Sequence, residues 1–500
     1  MTARGRLVVH GHFYQPLRID PFSGRMPVEP SAAPFSDWNA RVNAECYRPN
    51  VERGNFARIS FDVGPALADW LAQADPVTYR GMIAADRASL EPGRPPRRGG
   101  AMALPYHHSI LPLASLADRR TEIRWGLRDF ELRFGRPAEG VWLPETAVDL
   151  PTLRLLAQAG IRYTILAPWQ CEDPAIDTRR PYRVALGDGQ SLVVVFHDAE
   201  ISGAVSFDGP TTSDADRFAR ERVLPRLAGA RFADGAPGLV VIATDGELYG
   251  HHQKFRDLFL QRLVAPGPDV ADRGFDVVDL AAALDEPPDR PFPLVRIRER
   301  TSWSCHHGVA RWSAECPDAP DGRWKGPLRA ALERLAAGID ATSRTVLRGL
   351  GGTAARGGAA GAAETPSAVG TAPVDLDAAR DAWIEVIAGV ETPDAFADRW
   401  LGESSAADAR RQFLDLLEAQ RWRLAMFVSD AWFWDDPARL ETRHALWAAA
   451  RAARLVDGIA GTDLEGRLID DLSLFSSPST GQDGASIYRT ALTEIGQPAR

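Results

Sequence analysis

The chain has little sulfur, no long apolar run and no surplus of basic charge. Its four cysteines, Cys46, Cys171, Cys305 and Cys316, are spread over 500 residues without C-x-x-C spacing. Neither a disulfide framework nor a zinc cluster is indicated by that pattern. Between Met1 and Pro16 there is no apolar core of the kind a secretory signal needs. Nothing approaches the roughly 18 consecutive apolar residues of a membrane span. Lys and Arg total 58 against 67 Asp and Glu, a formal net charge of -9. No stretch clusters basic residues among aromatics, and the short basic piece from Arg94 to Arg98 reads as a solvated loop. A nucleic-acid partner and a membrane are therefore not expected, and a reducing cytoplasm is the simplest compartment. No internal repeat of about 20–50 residues is evident either.

What is present is an ordinary globular composition, 45% apolar and 25% charged, with enough length for a large core and more than one unit. The first two-thirds alternates β-rich apolar runs with helical patterns, the signature of an α/β chain with a parallel sheet. Strands are expected at Arg6–His10, Gly140–Leu143, Arg162–Leu166, Leu192–His197, Gly238–Ala243 and Phe275–Leu280. Helices are expected at Leu150–Gly160, where Pro151 suits the first turn and Gly160 the stop, and at Ala215–Leu227 and His252–Leu263. Residues 349–374, rich in Gly and Ala, read as a flexible linker. Beyond them Leu376–Ile387 and Ala407–Val456 are strongly helical. The expected domains are a catalytic β/α barrel (1–300), a barrel-associated helical segment (301–348), the linker and a C-terminal helical domain (375–500).

The polar chemistry gathers at one end of these runs. His10 and His12 close the first strand, Glu145 follows Val-Trp-Leu-Pro, His197 and Asp198 follow Leu-Val-Val-Val-Phe, and Asp245 follows Val-Val-Ile-Ala-Thr. In a β/α barrel the C-terminal strand ends form the catalytic face, and doubly wound sheets obey the same rule. Two carboxyl groups at such strand ends suit glycoside transfer, in which one attacks or stabilises the anomeric carbon and the other, kept protonated, releases the leaving oxygen. Glu145 and Asp245 are the candidates, with Asp149 and Glu247 as competitors in the same segments.

Three segments resemble glycoside hydrolase family 57, retaining enzymes acting mainly on α-glucans. HGHFYQP (His10–Pro16) resembles the family's H-x-H-Q-P motif, with Phe13 and Tyr14 inserted. GVWLPE (Gly140–Glu145) resembles the segment carrying the nucleophile, and DGELYGHH (Asp245–His252) the segment carrying the acid/base. YHHSILPL (Tyr106–Leu113), TSWSCHHGVARW (Thr301–Trp312) and MFVSDAWFWDD (Met426–Asp436) look like a subgroup with a C-terminal domain of unknown function. The resemblance implies an incomplete seven-stranded β/α barrel followed by a helical module. It makes Glu145 the nucleophile and Asp245 the acid/base, on an amylase, glucanotransferase or branching enzyme. It also implies sugar contacts from His10, His12, Gln15, Trp142, His108, Tyr249, His251, Trp303 and His307. No cofactor and no metal are expected.

The rival reading rests on the histidine pairs His107-His108, His251-His252 and His306-His307, beside His10-x-His12. Imidazole is the commonest transition-metal ligand, and a metal-dependent polysaccharide deacetylase or an α-mannosidase-like enzyme on a related barrel would use it. No H-E-x-x-H or comparable zinc signature accompanies them.

Overall fold

The computed structural model describes residues 4–90, 98–228, 232, 236–265, 274–285, 291–350, 374–403 and 405–498. The expected linker and most of the 94–98 basic piece lie outside the described residues.

The run Arg-Leu-Val-Val-His-Gly-His-Phe becomes a central strand because it is apolar without alternation, as a strand covered on both faces must be. This strand, β1 (Gly5–Phe13), is buried from Leu7 to its end. β7 (Leu239–Asp245) lies parallel along one edge, with Arg6 beside Leu239 and His12 beside Asp245. On the other edge β2 (Ser60–Val63) pairs with the upper half of β1, placing His12 beside Asp62, and β8 (Phe275–Val277) pairs with its lower end. β3 (Ala101–Met102) continues from β2, all parallel.

Single bridges carry the order onward. Ala103 pairs with Val141, and Gly140 with Tyr163 at the start of β4 (Tyr163–Leu166). β4 then runs parallel to β6 (Gln190–Phe196). The sequence of parallel positions is thus β7, β1, β2, β3, Gly140–Val141, β4 and β6, a seven-position β/α barrel. No ladder joins β6 to β7 among the described residues. Side-chain and loop groups satisfy the backbone there: Asp198 N donates to Val241 O at 2.8 Å and Ala243 N to Ser202 Oγ at 3.2 Å. Ser202 lies on helix Ala199–Phe207, capped by Asp198. β5 (Tyr182–Gly187) runs antiparallel to β6 and carries β9 (Leu294–Val295) on its far side. Val8, Met102, Trp142, Ile165, Val195 and Val241, from six of the seven positions, meet in one core.

Several expected elements change in detail. The strand at Phe275 stops at Val277, because Asp279 accepts from Ala282 N and starts a helix at Leu280. The expected helix Ala215–Leu227 is interrupted by a wide turn at Ala219–Val223 just ahead of Pro225, whose missing N–H cannot continue the ladder. β2, β3 and β5 are strands the periodicity did not reveal.

The chain divides into two compact units. The first comprises 1–17, 28–112 and 126–309; the second comprises 18–27, 113–125 and 310–500. The second unit is helical. Helix Lys325–Gly349, expected with the barrel, belongs to it, packing its Leu328–Leu332–Ile339 face among helices Ala407–Ala425, Leu440–Ala460 and Leu464–Leu472. Helix Leu440–Ala460 buries Ala445, Ala448, Ala449, Ala452 and Ala453, small side chains that let neighbouring helix backbones come close. No described helix is long and apolar enough to cross a membrane.

Candidate active site

Glu145 sits in the tight turn Pro144–Thr146 directly after the Gly140–Val141 position. Its φ is 56° and that of Thr146 is 49°. Two successive left-handed non-glycine residues are costly, and such strain persists where the surroundings over-determine it. Here a second segment runs antiparallel beside the turn. Arg300 N donates to Val148 O, Val148 N to Thr301 O and Trp303 N to Glu145 O, at 2.8, 2.9 and 3.0 Å. Gln170 ties the turn from below: its amide donates to Thr146 O at 2.8 Å and its carbonyl accepts from Thr146 Oγ1 at 2.9 Å.

The same segment aims two donors at one carboxylate oxygen. Trp303 Nε1 and Ser304 Oγ reach Glu145 Oε2 at 2.9 and 2.6 Å, leaving Oε1 for other chemistry. Burial raises the Glu145 pKa and the charge of Asp245 adds to it, while Ser304, Trp303 and the His12 cation work the other way.

Asp245 ends β7 beside His12. The residue is exposed at the strand's end, while protein packs closely enough around its carboxyl to affect its titration. Burial raises its pKa, Asp62 adds to the rise and His12 opposes it. Glu247, the competitor, is differently placed. It is buried, and its Oε1 accepts from Tyr47 Oη at 2.6 Å and Tyr14 N at 3.2 Å. Burial and the Asp245 charge push it up to about 7. Asp149, the other competitor, is a helix cap accepting from Thr152 N.

Within electrostatic reach of both acids lies a buried His–Asp–His group that sequence reasoning missed at its centre. His10 and His12, two residues apart on one strand, face the same way. Both reach Asp62: His10 Nε2 to Oδ1 at 3.0 Å and His12 Nδ1 to Oδ2 at 2.7 Å. Burial disfavours the His12 cation, but Asp62, Asp245 and Glu247 together outweigh it and carry the pKa up to about 9. Burial keeps His10 low, and burial with the His12 charge holds His108 well below the ordinary range. With His12 charged, its Nε2–H donates to neutral His108 Nε2 at 3.2 Å. The only signal for Asp62 was a lone acid inside the short apolar run Ile59–Val63; Ser304 lay in a segment singled out for its Trp and His.

The remaining expected residues fall into two groups. Trp142 is completely buried and backs the histidines, stacking on His10 at 4.7 Å and His12 at 5.2 Å, and meeting Trp303 edge-on. The inserted residues also have places. Tyr14 stacks on His108 at 3.8 Å, and Phe13 packs against Phe56 in the core. Gln15 bonds Tyr47 next to Glu247. His251 holds Glu45 Oε2 at 2.5 Å, and burial of Glu45 is outweighed by His251 and Arg41, which lower its pKa. Two expectations of sugar contact need correction. Tyr249 is buried at 2% exposure, its hydroxyl within 3.4 Å of Thr244 and its carbonyl accepting from Asn50, so it braces the turn after β7. Trp142, at 0%, has no face to offer a ligand.

The seven-position β/α barrel thus carries a strained, doubly anchored glutamate and an exposed aspartate at the C-terminal ends of its strands, where barrel enzymes keep their chemistry. Residues 101–287 match Glycosyl hydrolase family 57, and residues 364–495 match a domain of unknown function, DUF3536. The stretch matched to that family, residues 101–287, contains both Glu145 and Asp245. No protein of curated function matches it in sequence. Among solved structures it is similar to an exo-type maltose-forming amylase from Pyrococcus sp. ST04, at TM-score 0.70 and 15% identity over 97% of this chain and 91% of that one. A branching enzyme from Pyrococcus horikoshii follows at TM-score 0.59 and 15% identity, over 98% and 94%. A 4-alpha-glucanotransferase from Thermococcus litoralis gives 0.52 and 14%, over 89% and 60%. At such identities the likeness is one of fold.

Proposed function

We propose that this protein is a retaining glycosidase or transglycosylase acting on an α-glucan-like oligo- or polysaccharide, with Glu145 as nucleophile and Asp245 as acid/base. The observation that carries the reading is the one-sided anchoring of Glu145. Two donors fix Oε2 and stabilise the anion, while Oε1 keeps its lone pairs for the anomeric carbon. Asp245 is exposed, its side chain accepts no hydrogen bond among the described residues, and its pKa is raised by burial and Asp62. Both influences favour the protonated form, the one an acid catalyst needs.

In the first step Glu145 Oε1 forms the bond to the anomeric carbon as the glycosidic C–O bond breaks, and the proton of Asp245 goes to the leaving oxygen. In the second, the Asp245 carboxylate takes a proton from water or a sugar hydroxyl, whose oxygen displaces Glu145. Water gives hydrolysis and a sugar hydroxyl gives transfer. The α-glucan class follows the family and the printed names of the similar structures, an amylase, a branching enzyme and a glucanotransferase. A cytoplasmic setting suits four buried cysteines that form no disulfide among the described residues.

The test is product analysis with maltoheptaose. Wild type should give new products whose first-formed anomers keep the α configuration by proton NMR. Glu145→Gln should lose at least about 1,000-fold in kcat, the scale of removing a group that forms the covalent bond. Inverted product, or a fully active Glu145→Gln, would remove the assignment.

A further inference from the structure

β6 ends on His197, for which the two-carboxylate mechanism has no task. The imidazole is buried, and neither ring nitrogen makes a hydrogen bond of ordinary geometry among the described residues. Burial pulls its pKa down to about 4, against a weak opposing pull from the Asp198 main chain and carboxylate. The ring is therefore neutral across the working range, with one N–H donor and one lone-pair acceptor. Buried polar groups in native proteins are nearly always matched, so an unmatched pair beside the indole that anchors Glu145 points to a ligand that completes it.

The surroundings say what kind of ligand. Trp303, the indole that donates to Glu145 Oε2, meets His197 edge-on at 6.4 Å. Trp169 meets it at 6.0 Å and 88° from another side. Trp169 is pinned by its Nε1, which donates to Ser302 O at 2.9 Å, yet 39% of its surface stays exposed. An indole fixed at one edge and this exposed, with the His306 ring tilted beside it at 6.3 Å, can serve as a platform for the C–H face of a sugar ring. No charged group is needed, and the nearest unmatched polar atoms are a neutral donor and a neutral acceptor.

We propose that His197 and Trp169 form a sugar subsite adjoining Glu145. Trp169 takes the apolar face of one neutral pyranose. His197 donates from one nitrogen to one hydroxyl and accepts at the other nitrogen from a neighbouring hydroxyl. The proposal rests on the glycosidase reading for its ligand class, a neutral oligosaccharide.

The experiment titrates the full-length protein with maltopentaose, cellopentaose and mannopentaose, following tryptophan fluorescence and heat, and measures kcat and KM on whichever is turned over. The variants are His197→Phe, His197→Asn, Trp169→Ala and Trp169→Phe. His197→Phe removes both unmatched polar atoms from a buried place, so a purely structural histidine predicts a protein that melts higher and binds as before. The subsite predicts binding weakened about tenfold, with most of the kinetic loss in KM. His197→Asn, which keeps a donor and an acceptor, should recover part of it. Trp169→Ala should weaken binding by a similar factor and lose much of the fluorescence change, with Trp169→Phe in between. Wild type binding none of the three sugars, or a folded His197→Phe binding as wild type, would overturn the subsite. A pentasaccharide bound through His197 but left intact would support the subsite while removing the proposed reaction.

Discussion

The proposed mechanism needs a proton on Asp245 and none on Glu145, and His12 lies within the field of both. Glu145 feels the cation as a lowering influence, against burial. Asp62 maintains that cation through the 2.7 Å bond. Asp62→Asn should therefore let His12 become neutral, raise the Glu145 pKa further and move the acid limb of kcat/KM to higher pH. A pH–rate profile with an unmoved acid limb would detach Asp62 from this role. The same pair sets a stability window. A histidine raised from 6.5 to about 9 on folding stabilises fully below about 6.5, and that contribution is lost as pH climbs through about 9. The melting temperature of wild type should fall across that interval, and Asp62→Asn should flatten the fall. Ser304→Ala removes one of two donors to Glu145 Oε2; about a tenfold loss in kcat is expected, together with an upward shift of the acid limb. The placement of Glu145 and Asp245 just after strand positions was legible in the sequence because each follows an apolar run directly. Asp62 was not, because a strand of four residues carries too little periodicity to announce its partner. Tyr249 was misread for the converse reason, since sequence position cannot say which way an aromatic ring turns.

Strand ends bring these residues together, but short cross-links hold them in place. The turn bearing Glu145 depends on Gln170, completely buried in the loop after β4, whose carbonyl oxygen also accepts from Ala167 N at 2.8 Å. Gln170→Ala leaves Thr146 O, Thr146 Oγ1 and Ala167 N short of a partner at once. A loss of about 2–4 kcal/mol in urea unfolding is expected from several unmatched buried groups, with a fall in kcat as the strained turn relaxes. Unchanged activity in a destabilised protein would mean the segment at Arg300–Trp303 positions Glu145 alone. After β7 the chain turns at Gly246, where an added Cβ would come within 2.4 Å of the Phe13 ring. That close approach explains why β1 and the Asp245 loop can share one mouth. The long apolar runs of β1, β6 and β7 were readable as buried parallel strands. The incomplete edge between β6 and β7 was not, since it depends on where a serine on the next helix happens to satisfy a backbone N–H.

At the scale of the whole chain, the domain plan read from composition differs from the contacts because contiguity in sequence is a poor guide to packing here. Residues 18–27 and 113–125 belong to the helical unit, far from it in sequence. Their attachments are specific. Asp118 pairs with Arg423 at 2.6 Å and Arg380 at 3.2 Å, and burial of its carboxyl is outweighed by those two cations, which lower its pKa. Trp125 Nε1 donates to Arg380 O at 3.0 Å, Thr121 bonds Asp381, and Arg451 and Arg454 lie over the Phe22 ring. A chain ended at Val309 would leave those two segments without the partners that bury them, with Trp125 and Asp118 exposed or unmatched. Such a truncation should yield little soluble protein or a broad, non-cooperative melt, rather than a free-standing barrel. A milder change separates this from a trivial effect of length. Breaking a buried ion pair at one partner costs about 3–5 kcal/mol, so Asp118→Ala in the full-length protein should lower the unfolding midpoint by that scale. If the truncated chain melted cooperatively at the wild-type temperature, or Asp118→Ala left the midpoint in place, the interleaved segments would be passengers on the helical unit and not part of what holds it together.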